Sequence, residues 1–275
     1  MAMSAPWENH RQRAEVLIGR YPFASEVLTV YLRLLDVWDD GWQATRDDQP
    51  EPDHLAGWAV ERVLPGVLKA TEETGPEPLA AAARDIVDTG RVEDCLTAWL
   101  AGGELPPVER YLARATLRAP LEALAADAAA ACAADPSPRG GRRCPRCGGP
   151  PQLSVRSAGG DPLVAGGRQL LCARCGQTWQ HSGSACPSCG ESTGSKRTVY
   201  GERHDGPIVS GPAGEATFPH LRVDACATCR QYLVDIDLGR DPRAVPEVDE
   251  LAALPLDLYA AEHGLSKITP NLMGF

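Results

Sequence analysis

The chain has 275 residues, 43% hydrophobic and 23% charged, which is the range of ordinary globular domains. No run reaches the roughly 18–20 uncharged apolar residues of a membrane span, and Met1 to Arg20 carries Glu8 and Glu15 without the apolar stretch of a secretory signal. With 27 basic against 37 acidic side chains, net −10, it lacks the broad cationic field that non-specific nucleic-acid binding requires. The expectation is a cytoplasmic protein with no membrane and no nucleic-acid partner.

In chain order, residues 7 to about 134 read as helical. Phe23, Val27, Val30, Tyr31, Leu34 and Trp38 recur at three- and four-residue spacings behind Pro22, one apolar face of a helix. Further helices are expected over 54–72, 78–89, 92–101 and 107–134, separated by Gly75-Pro76, Gly90 and Gly102-Gly103. Pro65 and Pro120 fall inside two of them and should kink or split the helix. The run from Asp135 to Gly141 has linker composition. Beyond it come short β-like runs at 152–156, 168–171, 198–200, 220–223 and 232–236, then a helical pattern at 243–263.

Eight of the ten cysteines form four CxxC pairs: Cys144/Cys147, Cys172/Cys175, Cys186/Cys189 and Cys226/Cys229. In a reducing compartment such clustering reads as metal ligation or redox chemistry rather than a disulfide framework. Two thiolates on one tight turn hold half of a tetrahedral site, and a second pair completes it. Gly148, Gly176 and Gly190 follow the second cysteine of three pairs, where a positive φ is needed; Arg230 follows the fourth, so that turn should differ or be strained. Sequential pairing leaves 24 residues inside the first site and 36 inside the second, room for a β-hairpin in each; nested and interleaved pairings remain open. Zinc, a single iron, or a cubane cluster would all accept four thiolates.

Cys95 and Cys132 lie in helical stretches and read as small buried hydrophobes. His181, His204 and His220 are scattered and read as surface or loop residues. Arg139, Arg142, Arg143 and Arg146 form a basic cluster that reads as a solvated hinge. No nucleotide-binding or hydrolase motif is present, and nothing marks a catalytic acid, base or nucleophile, so the chain reads as non-catalytic.

The order Cys144-Pro-x-Cys147-Gly, Cys172-x-x-Cys175 with Trp179, Cys186-x-x-Cys189, and Arg222-Val-Asp-Ala-Cys226-x-x-Cys229 with Tyr232-Leu233 resembles the formate dehydrogenase accessory protein family, FdhE. The resemblance continues through Asp241-Pro242, Val248-Asp249-Glu250-Leu251-Ala252, Leu256-Asp257, Glu262-x-Gly264 and Asn271, and reaches Arg13-Ala14-Glu15 and Pro22 to Leu35. It departs from the family pattern at Ser184-Ala185, in the Gly-rich stretch 156–168 and in the loose insertion 201–216.

The resemblance implies an α+β, multi-domain fold: an α-helical domain over 1–135, a linker at 136–143, a first four-cysteine rubredoxin-like or zinc-ribbon β module at 144–182, and a second at 183–275 with a C-terminal helix and tail. It implies two metal ions, iron or zinc, on the eight paired cysteines. It also implies a non-catalytic maturation role through binding the catalytic subunit of formate dehydrogenase or a related molybdoenzyme. A four-thiolate site around a divalent ion carries a charge of about −2, so charge alone favours a basic patch on the partner. The alternatives are a zinc-ribbon nucleic-acid binder and a rubredoxin-like electron-transfer protein.

Overall fold

The computed structural model describes residues 6–132, 141–157, 167–202 and 217–275. Most of the expected linker, most of the Gly-rich stretch, most of the insertion, Arg139 and His204 lie outside the described residues.

The amphipathic face built on Leu28, Tyr31, Leu34, Leu35 and Trp38 belongs to the long helix α2 (Ser25–Asp48). It follows α1 (Glu8–Arg20) and packs on it. Pro65 divides the next expected helix into α3 (Leu55–Arg62) and α4 (Leu64–Thr74), sitting in the first turn of α4, where its missing N–H leaves no bond unmade. After α5 (Glu77–Asp88) and α6 (Val92–Leu100), α7 (Pro107–Leu124) runs through Pro120 without dividing. Packing on all sides holds it, since nearly every residue from Glu109 to Leu121 is buried. Trp38 donates from Nε1 to the Ala115 carbonyl (2.7 Å), fixing α2 against α7. A single turn, α8 (Ala128–Ala131), ends this half and buries Cys132.

The second half is one sheet. Strands β1 (Pro151–Arg156), β2 (Arg168–Cys172) and β3 (Thr178–Gln180) form an antiparallel meander, as do β4 (Arg197–Tyr200), β5 (Leu221–Cys226) and β6 (Gln231–Asp237). The two meanders join through parallel pairing of β1 with β6, Ser154 opposite Asp235, giving the order β3-β2-β1-β6-β5-β4. Helices α9 (Pro246–Ala252) and α10 (Leu254–Glu262) follow, and β7 (Ser266–Lys267) then pairs in parallel with the start of β6. The expected strands are present with boundaries shifted by one to three residues; β3 and β7 are additional.

Helices and sheet meet across buried polar groups that hydrophobic patterning does not reveal. Arg13 on α1 donates to Asp249 (Nε, 2.9 Å) and Asp241 (Nη2, 2.9 Å). His220 Nε2 lies 2.8 Å from Asp249, so this histidine is part of a buried ion cluster and not a surface residue. Arg114 on α7 donates to the Pro270 carbonyl (2.6 Å) and to Gln152 of β1, which itself bonds Glu250. Arg118, one turn later, meets Glu247 (2.9 Å) and Glu122 (3.0 Å). Lys267 bridges Glu250 (2.8 Å) and Asp257 (3.0 Å), and Tyr232 donates to Asp257 (2.8 Å). The tail from Asp241 to Asn271 is thus the charged layer between the two halves. Removing one partner of such a pair strands an uncompensated charge, at a cost of about 3–5 kcal/mol.

Candidate metal centres

All four CxxC turns are built alike. The residue after the second cysteine takes a positive φ in each: Gly148 (71°), Gly176 (67°), Gly190 (82°) and Arg230 (60°). Its N–H returns to the carbonyl of the first cysteine, at 2.9, 3.2, 3.0 and 2.9 Å respectively. Arg230 therefore makes the same turn as the glycines and carries the strain, about 1–2 kcal/mol for a side chain in the left-handed region. Its guanidinium donates to the carbonyls of His263 (2.7 Å) and Gly264 (3.1 Å) at the end of α10. A cation capping those unpaired carbonyls offsets the strain.

The turns bring the eight cysteines together in sequential pairs: Cys144, Cys147, Cys172 and Cys175 in one group, and Cys186, Cys189, Cys226 and Cys229 in the other. Sulfur–sulfur distances are 3.7 Å (Cys144–Cys175) and 3.5 Å (Cys147–Cys172) in the first, and 3.8 Å (Cys186–Cys229, Cys189–Cys226) in the second. A tetrahedron with metal–sulfur bonds of about 2.3 Å has edges of about 3.8 Å. Both donor sets fit one ion; a multi-iron cubane needs its thiolates farther apart.

The first group is sealed, with every sulfur-bearing side chain at or below 1% exposure. Gly149 lies so close that a Cβ there would stand 2.7 Å from Cys172 Sγ and 3.2 Å from Cys147 Sγ. The backbone N–H of Arg174 donates to Cys172 Sγ (3.3 Å), and its guanidinium donates to the Cys147 carbonyl (3.0 Å) while lying over the Trp99 ring, 5.4 Å from its centroid. Arg118 of α7 packs on the other turn, where a Cβ at Gly176 would fall 2.6 Å from its Nη2. Two buried cations from different elements therefore face the site and balance the negative charge of a four-thiolate centre. Cys132 is more than a buried hydrophobe: it adjoins Cys147, and that contact, with burial, pushes its thiol well above the ordinary range. Nothing in its own helical segment signals this, because its partner Cys147 belongs to another segment of the chain.

The second group is open on one side. Cys186 and Cys226 are buried, Cys229 is half-buried and Cys189 is exposed. Burial would raise the Cys226 thiol, but the N–H groups of Cys229 and Thr228 and the neighbouring sulfurs bring it down to about 7. Around it Ser188 bonds Gln231, and Thr228 donates to Glu191 (3.0 Å). Arg142 donates to the Ser188 carbonyl (2.8 Å), so part of the expected hinge cluster ties the start of the first module to the second site.

Comparison with known proteins follows this geometry. The family described as "FdhE, C-terminal domain" matches residues 185–273. The "Protein FdhE homolog" of Pseudomonas aeruginosa is 36% identical over 131 residues, 47% of this chain and 38% of that protein. That of Aquifex aeolicus is 31% identical over 132 residues, 48% of this chain and 41% of its own. The matched region thus spans about two fifths of these relatives' length. Over residues 185–273 the chain matches the FdhE C-terminal domain. The crystal structure of the FdhE protein from Pseudomonas aeruginosa has the same fold, with a TM-score of 0.63 at 23% identity over 97% of this chain and 94% of that one. The FdhE-like residues outside the cysteines acquire a physical role: Arg13, Asp241, Asp249, Glu250 and Asp257 are the charged layer that joins helices to sheet. Asn271 anchors the end of the tail by accepting from the N–H groups of Met273 (3.0 Å) and Phe275 (3.1 Å). Among the described residues no helix is long and apolar enough to cross a membrane.

Proposed function

We propose that the protein is a cytoplasmic, non-catalytic maturation factor that binds the catalytic subunit of formate dehydrogenase or a related molybdoenzyme. In this reading Cys144, Cys147, Cys172 and Cys175 hold one iron or zinc ion, and Cys186, Cys189, Cys226 and Cys229 a second. The observation that carries it is the pair of four-sulfur groups at tetrahedral spacing on an FdhE fold. A bound ion would supply four bonds that clamp two turns together. The chain's own residues do the rest: Arg118 and Arg174 offset the charge of the first centre, Gly149 leaves room for its sulfurs, and the Arg13–Asp249 layer fixes the modules against the helices.

The test is elemental analysis and absorption spectroscopy on protein purified without oxygen, together with co-purification of a co-expressed formate dehydrogenase catalytic subunit. Two ions per chain and a stable complex are expected. Two zincs without colour make both centres structural, whereas iron whose colour bleaches on reduction makes them redox-responsive. Folded protein free of metal, or an active dehydrogenase made equally well without this chain, overturns the reading.

A further inference from the structure

On a protein of net charge −10, one groove is cationic. It runs between the loop that joins α6 to α7 and the tail around β7, as two cavities of about 410 and 260 Å³ that share Glu104, Arg143, Pro150, Gln231 and Ile268 in their walls. Arg110 lines the first cavity, Arg142 the second and Arg143 both. Arg110 reaches only the Leu105 carbonyl (3.5 Å) and Arg142 the Ser188 carbonyl (2.8 Å); among the described residues none of the three pairs with a carboxylate. Arg13, Arg118, Arg156 and Arg222 are tied into ion pairs, whereas these three line a single groove without one, which makes it a place where positive charge is left to be answered. Glu104 is the one acid among the lining side chains.

The floor of the groove adds backbone chemistry. Among the described residues β7 pairs with one strand, β6: the N–H groups of Ser266 and Ile268 bond the carbonyls of Arg230 and Tyr232 (both 3.0 Å), so by alternation the N–H and C=O of Lys267 face away from β6. Lys267 and Ile268 both line the groove, and beyond them Thr269, 4% exposed, has a hydroxyl with no partner. A strand edge open on one side, a spare hydroxyl and arginines spread along the length suit an extended chain better than a compact ion.

We infer that this groove receives an extended, acidic peptide segment of a partner protein, its backbone laid along β7 and its carboxylates on Arg110 and Arg143. The inference rests on the maturation reading for the identity of the partner, and it runs opposite to the basic partner that overall charge favours, because the local field of a groove outweighs the distant net charge once salt screens beyond about 8–10 Å.

The experiment is fluorescence anisotropy on the full metal-containing chain, with a fluorescein-labelled peptide alternating glutamate and valine as probe and a lysine–valine peptide as control. Saturable binding of the acidic peptide that weakens with salt is expected. R110E/R143Q should weaken it about tenfold or more, as for loss of complementary charge at an interface, with metal content and melting temperature unchanged. Should that variant fail to fold, E104K at an exposed position supplies the opposite sign and should tighten binding severalfold. No saturable binding to the unmodified chain, equal affinity in the variants, or equally tight binding of pyrophosphate alone overturns the peptide groove. A second arm asks whether R110E/R143Q still captures the co-expressed catalytic subunit: undiminished capture overturns the groove and leaves the maturation reading standing. If the unmodified chain captures no subunit, the maturation reading fails while the peptide titration still decides the groove.

Discussion

In the first four-cysteine site every sulfur is out of the solvent's reach, with Arg118 on one turn and Arg174, Trp99 and Cys132 around the other; in the second, Cys189 stands in water and Arg142, bonded to one of its turns, is only half-buried. The turns and the sulfur spacings are nearly the same. The difference lies in what packs behind them: the first module leans on α7, at the centre of the helical core, while the second lies at the far side of the sheet, where β4 is an edge strand. Identical ligand chemistry on one fold thus gives one centre that belongs to the core and one that is exposed to whatever approaches it.

The largest effect that would break this comparison is loss of a ligand pair. C144S/C147S should abolish soluble, folded protein, because a structural four-thiolate ion contributes on the order of 10 kcal/mol against a total stability of about 5–15 kcal/mol. C186S/C189S should keep the helical circular dichroism and lose one ion per chain. Equal damage from the two variants would remove the distinction. On challenge with a chelator and a chromogenic metal indicator, the second ion should leave at least about tenfold faster, since its sulfurs can be attacked directly and the first requires an opening of the core. A single release phase for both ions would show that they open together.

R13A tests the layer on which the first site depends. It leaves Asp249 buried without its main cation and should cost about 3–5 kcal/mol, read as a large drop in melting temperature. The smallest effects come from the matched turn positions. G176A adds a Cβ at a φ of 67° against the Arg118 guanidinium and should cost about 2–4 kcal/mol. R230G removes strain and two hydrogen bonds of similar worth and should change stability by less than about 1 kcal/mol. Acid should act through depressed carboxyls: burial opposes but Ser154, Arg156 and Arg222 hold Asp235 low, and turn N–H groups bring exposed Glu191 down to about 2. Groups whose folded value lies below the unfolded one stabilise above about pH 4 and lose that contribution as pH falls through the folded value. The metal-containing chain should therefore lose stability progressively as pH falls below about 4, read as a falling melting temperature.

How much of this was legible in the sequence depends on the range of the interaction. The apolar repeat from Val30 to Trp38, the division at Pro65 and the CxxC turns are local and read directly, whereas Phe23, expected on the same face, precedes α2 and is exposed. The sharing of one sheet by both modules does not, because nothing in the run Pro151–Arg156 announces a parallel partner at Gln231–Asp237. Arg114 and Arg118 look like the solvent face of an amphipathic helix, and only a polar layer from the far end of the chain makes their burial affordable in free energy. His220 departs from its surface reading for the same reason, since its partner Asp249 comes from another segment; Cys132 is buried as expected, and only its contact with Cys147 is unannounced. Arg230 is the instructive exception, since its place after a CxxC pair correctly signals a strained turn.

The parallel seam between β1 and β6 also sets a schedule for synthesis. Ser154 waits for Asp235, and Arg13 waits for Asp249, so these residues bond others synthesised 81 and 236 positions later. Contacts of such sequence separation form slowly. Until the tail arrives, Arg13 of α1 lacks its carboxylates and β1 has an open edge, which is the state of a nascent chain that attracts chaperones or aggregates. Slowing translation late in the message should therefore harm the yield of this protein more than slowing it early, even though the early half carries most of the helices.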